Sequence, residues 1–172
     1  MNSRGFTLIE LLVVLVIIGV IVGMATVAFR DTRGEELERE ARRLIPILQL
    51  ASEEAPLRSE TLGLRVADDG YAFLRRPQLS AEWQVIEDDK ALGPRQLPAP
   101  LRLQLTVEGL DASKGASAPR NGESKGIQPH VYLFSSGELT PGFEINVVHP
   151  DLQAFYRITG REDGKLEFHE EQ

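Results

Sequence analysis

From Phe6 through Phe29 the chain runs 24 residues with one ionisable side chain, Glu10, and no proline. At a rise of about 1.5 Å per residue such a stretch makes a helix of about 36 Å, enough to cross a hydrocarbon core of about 30 Å. Whatever residues 31–172 fold into must therefore hang from one end of a membrane-length helix. The acid near the mouth of that helix is costly, and a carboxylate placed there needs a partner. A secretory signal peptide would show a shorter apolar core of about 7 to 15 residues followed by a small-x-small cleavage site. Here the apolar run is longer and ends at Phe29-Arg30-Asp31. An ordinary N-terminal anchor, with Glu10 merely an acid near the interface, is the plain alternative.

Gly5-Phe6-Thr7-Leu8-Ile9-Glu10, with the Leu/Val/Ile run behind it and a short leader carrying Arg4, resembles the class III signal of type IV pilins and type II secretion pseudopilins. The resemblance implies that a membrane prepilin peptidase cuts between Gly5 and Phe6 and then N-methylates Phe6. It also implies that Glu10 is the acid read during assembly.

A physical argument supports that role. Cleavage frees an α-amino group on Phe6, a cation at neutral pH. In the first turns of the helix Glu10 is favoured by the macrodipole, yet in apolar surroundings it still requires a nearby cation. When helices stack with an axial offset, the Phe6 amine of one subunit can meet the Glu10 carboxylate of the next. Glu10 then serves docking and register, not catalysis. Pairing of Glu10 with its own Phe6 amine, four residues away, is the alternative and suits the state before assembly.

Orientation follows from the flanks. Arg4 lies on the short N-terminal side, whereas residues 31–172 carry 17 basic and 25 acidic side chains of the chain's 19 and 26. Short basic flanks stay cytoplasmic and long domains translocate largely regardless of charge. A single-pass inner-membrane protein with a periplasmic C-terminal domain is expected. The absence of cysteine removes disulfides, including the disulfide-closed C-terminal loop common in type IV pilins, without dictating a compartment.

Residues 35–55 read as a second helix. Leu37, Ala41, Leu44, Ile45, Leu48 and Ala51 recur at spacings of three and four, with Glu36, Glu40, Arg43 and Glu54 elsewhere on the wheel. Gly34 and Pro46 weaken it, and a bend is expected near Pro46. From Thr61 onward the period becomes two. Leu62–Val66 and Tyr71–Leu74 flank Ala67-Asp68-Asp69-Gly70, where Asp-Gly supplies a residue tolerant of positive φ for a hairpin. Leu101, Leu103, Leu105 and Val107 alternate with polar residues as a half-buried strand. Further strands are expected at 83–86, 131–134, 143–148, 155–159 and 166–169, the last two joined by a turn over Gly160–Gly164. The predicted fold class is α+β: a long N-terminal transmembrane and amphipathic helix, then an antiparallel β-sheet domain of about seven or eight strands. Its parts are a leader at 1–5, a transmembrane, filament-core helix at 6–29, an amphipathic continuation at 30–55, and a periplasmic β-rich domain at 56–172. A polar loop at 111–129, expected to be mobile, serves either as an interaction surface or as a loose insertion.

Within this frame Glu40-Ala41-Arg42-Arg43-Leu44, Leu50-Ala51-Ser52-Glu53-Glu54-Ala55, Gly70-Tyr71-Ala72-Phe73, Trp83 and Phe134-Ser135-Ser136-Gly137-Glu138-Leu139-Thr140-Pro141 look like the minor pseudopilin H group of type II secretion, the GspH/FimT family. Gly142 between Pro141 and Phe143 is a local departure from the family pattern. The resemblance implies a pilin-like structural subunit with no chemistry of its own. It would sit at or near the tip of a periplasmic pseudopilus that moves folded exoproteins through an outer-membrane secretin. The implied partners are other minor pseudopilins, the major pseudopilin, the prepilin peptidase, the inner-membrane assembly platform, the secretin and exoprotein cargo.

The residues themselves point to no enzyme, cofactor or metal. His130, His149 and His169 lie far apart without a second ligand at i+3 or i+4, and Asp68-Asp69 and Asp88-Asp89 lack the spacing of a calcium loop. Ser135-Ser136-Gly137 lacks a nucleophile elbow and reads as a turn. Nucleic acid is not expected as a partner of a chain with net charge -7. Two other classes compete: a minor pilin that primes type IV pilus assembly, and an anchored periplasmic enzyme, for which no titratable cluster is found.

Overall fold

The computed structural model describes residues 8–28, 32–77, 82–114 and 126–171, with the side chains of 22–28 left outside the description. The chain divides into two compact units, Met1–Thr32 and Arg33–Gln172. In the first, α1 (Leu8–Ala28) carries Glu10 in its first turn. Among the described residues no helix is long and apolar enough to cross a membrane. Residues 8–21, whose side chains are described, cover about 21 Å at about 1.5 Å per residue, and the expected span of 6–29 reaches beyond them on both sides.

In the second unit α2 (Arg33–Arg58) buries Leu37, Ala41, Leu44, Leu48, Ala51 and Ala55, a stripe at alternating spacings of four and three. Three details differ from the wheel read in the sequence. Ile45 is only partly buried and Ile47 takes a core place, while Glu40, assigned to the polar side, is buried. The helix runs through Pro46, where a bend is predicted, and past Ala55 to Arg58. Its end explains the longer reach. Ser59 sits at φ 53°, its N–H donates to the Pro56 carbonyl at 3.1 Å, and the Glu60 N–H donates to the Ala55 carbonyl at 3.0 Å. That is a Schellman cap with serine where glycine is usual, so the sequence carries no ordinary stop signal.

Helix-then-antiparallel-sheet is the observed order, but the strands form two sheets. The first orders β3 (Gln84–Val85), β2 (Gly70–Arg75), β1 (Leu62–Ala67), β7 (Val131–Leu133) and β8 (Leu139–Thr140), with β4 (Arg95–Gln96) also on β2. The second orders β11 (Leu166–Glu171), β10 (Phe155–Gly160), β9 (Phe143–Val148), β5 (Arg102–Val107) and β6 (Leu110–Asp111). The strands not foreseen, β4, β6 and β8, are two residues long, too short to leave a period-two signature.

The sheets differ in burial for a simple reason. The second has one core face, so β9 and β10 alternate strictly between buried and half-buried. The first is covered on both sides. Tyr71 and Phe73 enter the main core with α2 and the inner residues of β5, β9 and β10, whereas Ala72 and Leu74 point the other way, into a second cluster with Trp83 and Val85 under Ile127 and Tyr132.

The β1–β2 hairpin forms in the expected register, Ala67 opposite Gly70. Gly70, however, is not among the positive-φ residues. A Cβ there would lie 2.1 Å from the Arg95 carbonyl oxygen, so the glycine is required by the close approach of β4. The left-handed glycine of the β10–β11 turn is Gly164, at φ 82°.

Candidate assembly surface

The residues singled out for assembly lie at the start of the chain. Arg4, Gly5 and Phe6 are outside the described residues, so the distance from the Phe6 amine to Glu10 is not defined. Glu10 stands in the first turn of α1 with an exposed side chain. Around it Leu8 is 82% exposed and Ile9 70%, and every described side chain of α1 from residue 8 to residue 21 is exposed. A helix whose described part is apolar on all sides, with those side chains exposed, is a surface for lipid or for neighbouring helices. One carboxylate in its first turn gives that surface a polar mark at a fixed height.

In the β-rich unit several titratable groups are tied into the fold itself. Glu40, 8% exposed, accepts a hydrogen bond of 2.7 Å from Nη2 of Arg95, which is 32% exposed. This ties α2 to β4. Beside it the Tyr71 hydroxyl is pushed upward in pKa by burial, against the opposing charges of Arg43 and Arg95. Arg95 Nε is buried without a protein partner among the described residues. The sequence hint for this pair was weak: Glu40 follows Leu37 by three, on the flank of the apolar stripe.

Two of the three histidines, His130 and His149, are structural acceptors. His130 Nδ1 takes the Val66 N–H at 3.2 Å, and burial, with Arg65 nearby, holds its pKa below the ordinary value. His149 Nδ1 takes the Asp151 N–H at 3.1 Å, and His169 is exposed on β11. Asp89 accepts the Ala91 and Leu92 N–H groups at 2.7 and 3.1 Å, which lower its pKa. Asp68 and Asp69 offer their backbone carbonyls to Leu103 and Leu97. Ser135, Ser136 and Gly137 form the β7–β8 turn, with Gly137 at φ 87°. Among the described residues no group of three His, Asp or Glu side chains could hold a metal ion.

Both described ends of the 111–129 loop are fastened. Ser113 is fully buried; its Oγ accepts the Leu105 N–H at 3.1 Å and donates to Asp111 at 2.8 Å. At the far end a Cβ on Gly63 would lie 2.6 Å from Pro129, and Arg65 donates to the Gln128 carbonyl at 2.8 Å. Residues 115–125 lie outside the described part, so the choice between interaction surface and loose insertion now concerns that stretch.

Comparison with known proteins follows the same division. The prokaryotic N-terminal methylation motif matches residues 1–26. Type II secretion system protein H of Aeromonas hydrophila is 32% identical over 165 residues, 94% of this chain and 90% of that protein. The Pseudomonas aeruginosa protein of the same name is 38% identical over 145 residues, covering 81% of this chain and 80% of its own length. In structure, the minor pseudopilin EpsH of the type 2 secretion system of Vibrio cholerae superposes with a TM-score of 0.60 at 22% identity, over 78% of this chain and 96% of that one. The solution structure of Escherichia coli GspH gives a TM-score of 0.57 at 14% identity, over 82% and 92%.

Proposed function

The chain belongs to the family of type II secretion system protein H, and from that membership we propose how this minor pseudopilin enters the pseudopilus and which of its residues do so. The prepilin peptidase removes residues 1–5 and methylates the new amine of Phe6. The apolar helix holds the subunit in the inner membrane as a single span, N-terminus cytoplasmic and residues 56–172 periplasmic, until an assembly platform extracts it. Glu10 then sets axial register by pairing with the Phe6 amine of the adjoining subunit. The finished subunit sits at or near the tip, among other minor pseudopilins and above the major one, where it takes part in moving folded exoproteins toward the secretin. Its role is structural, without catalysis or cofactor.

One observation carries this reading: a single carboxylate in the first turn of a helix whose described side chains are otherwise apolar and exposed, within the residues 1–26 that match the methylation motif. A charge so placed is expensive in hydrocarbon and is stabilised only when a cation comes within a few ångströms.

Mass spectrometry of the chain from cells with and without the peptidase tests the first step, the expected product beginning at N-methyl-Phe6. Gly5→Val should leave the precursor uncut. Glu10→Leu should be cut and methylated normally yet be missing from sheared pseudopili. Incorporation of Glu10→Leu at the wild-type level would overturn the register role.

A further inference from the structure

Sheet edges expose unpaired backbone groups, and proteins ordinarily keep such edges short or covered. Here β3, β6 and β8, which end the two sheets at three sides, are two residues each. The fourth end is β11, six residues long with no described strand beyond it. Its pairing fixes which groups are free. Arg161 N–H donates to the Lys165 carbonyl at 2.9 Å just outside the ladder, and Gly160 stands opposite Leu166 in the same register. By antiparallel alternation Glu167, His169 and Glu171 bond inward to β10, so Leu166, Phe168 and Glu170 point their N–H and C=O groups out from the sheet.

The side chains along this edge form two distinct rows. Leu166 and Phe168 are partly buried at the rim of the main core, with Phe168 stacked on Tyr156 at 5.4 Å and capped by Arg42 at 5.6 Å. The outward row is Glu167, His169 and Glu171, and Glu170 follows Phe168 on the core side. Arg157 reaches Glu171 at 3.2 Å and Arg161 reaches Glu167 at 3.9 Å, but both cations come from the inner side, so a chain laid outside β11 meets the carboxylates first.

We propose that β11 is a docking edge that accepts, as an added antiparallel strand, an extended segment of another protein in which apolar and basic residues alternate. Apolar residues lie opposite Leu166 and Phe168 and continue the core; basic ones lie opposite Glu167 and Glu171. Main-chain bonds to residues 166, 168 and 170 supply the affinity. A second copy of this chain fits less well: in the register of full overlap, Phe168 opposite Phe168, each Glu167 faces the His169 of the other copy and not a lysine or arginine.

The test uses the isotope-labelled full chain in detergent and short capped peptides: one alternating lysine and valine, one with the same residues in two blocks, and one alternating glutamate and valine. Amide exchange at Leu166, Phe168 and Glu170 should slow by about tenfold or more with the lysine–valine alternator alone, and the effect should weaken as salt is raised. Glu170→Pro removes an outward N–H, which an edge strand tolerates, and should abolish the slowing while Trp83 emission and β10–β11 protection persist. Glu167→Lys, a second variant that leaves the backbone intact, should weaken it several-fold. Equal slowing by the block or glutamate peptide, slowing that survives Glu170→Pro, no slowing at all, or protection that appears without peptide as chain concentration rises would each overturn the proposal.

Discussion

Glu40 and Arg95 connect the helix to the short strand β4, and their removal is the sharpest test of what holds the β-rich unit together. The acid is 8% exposed and the arginine 32%, at 2.7 Å. A hydrogen bond to a charged group contributes about 1.5–3 kcal/mol, and breaking a fully buried pair costs about 3–5 kcal/mol. Arg95 is a third exposed and can regain water on one side, which places Glu40→Ala near the lower figures, at about 2 kcal/mol. Some loss persists because Arg95 Nε is already buried without a protein partner among the described residues and the guanidinium would then lack its carboxylate. The assay is urea unfolding of the full chain in detergent, followed by Trp83, the sole tryptophan and a buried one. Glu40→Ala, Arg95→Ala and the double variant complete a cycle, with a coupling of about 1–2 kcal/mol expected. A single-variant loss below about 0.5 kcal/mol with no coupling would mean that the pair is a surface contact, and the link between α2 and β4 would need another cause.

Three further outcomes are expected. Gly70→Ala must push β4 away from β2, because its Cβ would meet a backbone oxygen at 2.1 Å; a loss of about 1–3 kcal/mol and faster amide exchange at Gln96 would register it. Ser59→Gly should raise stability by about 0.5–1 kcal/mol in the same urea titration, since a left-handed φ of 53° costs a serine more than a glycine. The neutral ring of His130 is favoured in the fold, where burial depresses its pKa. Its contribution is therefore complete above the reference value of about 6.5 and is lost as pH falls through the depressed folded value. The stability difference between wild type and His130→Asn should narrow on acidification below about pH 6.5, and a constant difference would refute that assignment.

The helical parts of this chain were legible because their signals are local. An apolar run over residues 6–29 interrupted by one acid, Glu10, and a repeat of three and four from Leu37 to Ala51 require no knowledge of what lies opposite. The same holds for the Ala67–Gly70 and Gly160–Gly164 turns and for alternation in β5, β9 and β10. The cap at Ser59 leaves no sequence signal because it is made by backbone bonds, not by residue type. The need for glycine at position 70 has no local signal, because the atom that excludes a side chain there belongs to Arg95, 25 positions further on.

By itself the sequence determined an apolar N-terminal helix with one acid near its start, an α+β domain behind it and the family signature at residues 5–10, all of which depend on neighbours within a turn or two along the chain. Only the tertiary structure decided that the described strands divide into two sheets, that Glu40 is a core residue with Arg95 as its partner, and that β11 is the long edge among the described strands. Those outcomes follow from which distant segments come to lie side by side. Burial, charge pairing and an unpaired strand edge are properties of that juxtaposition, and no periodicity along the chain encodes them.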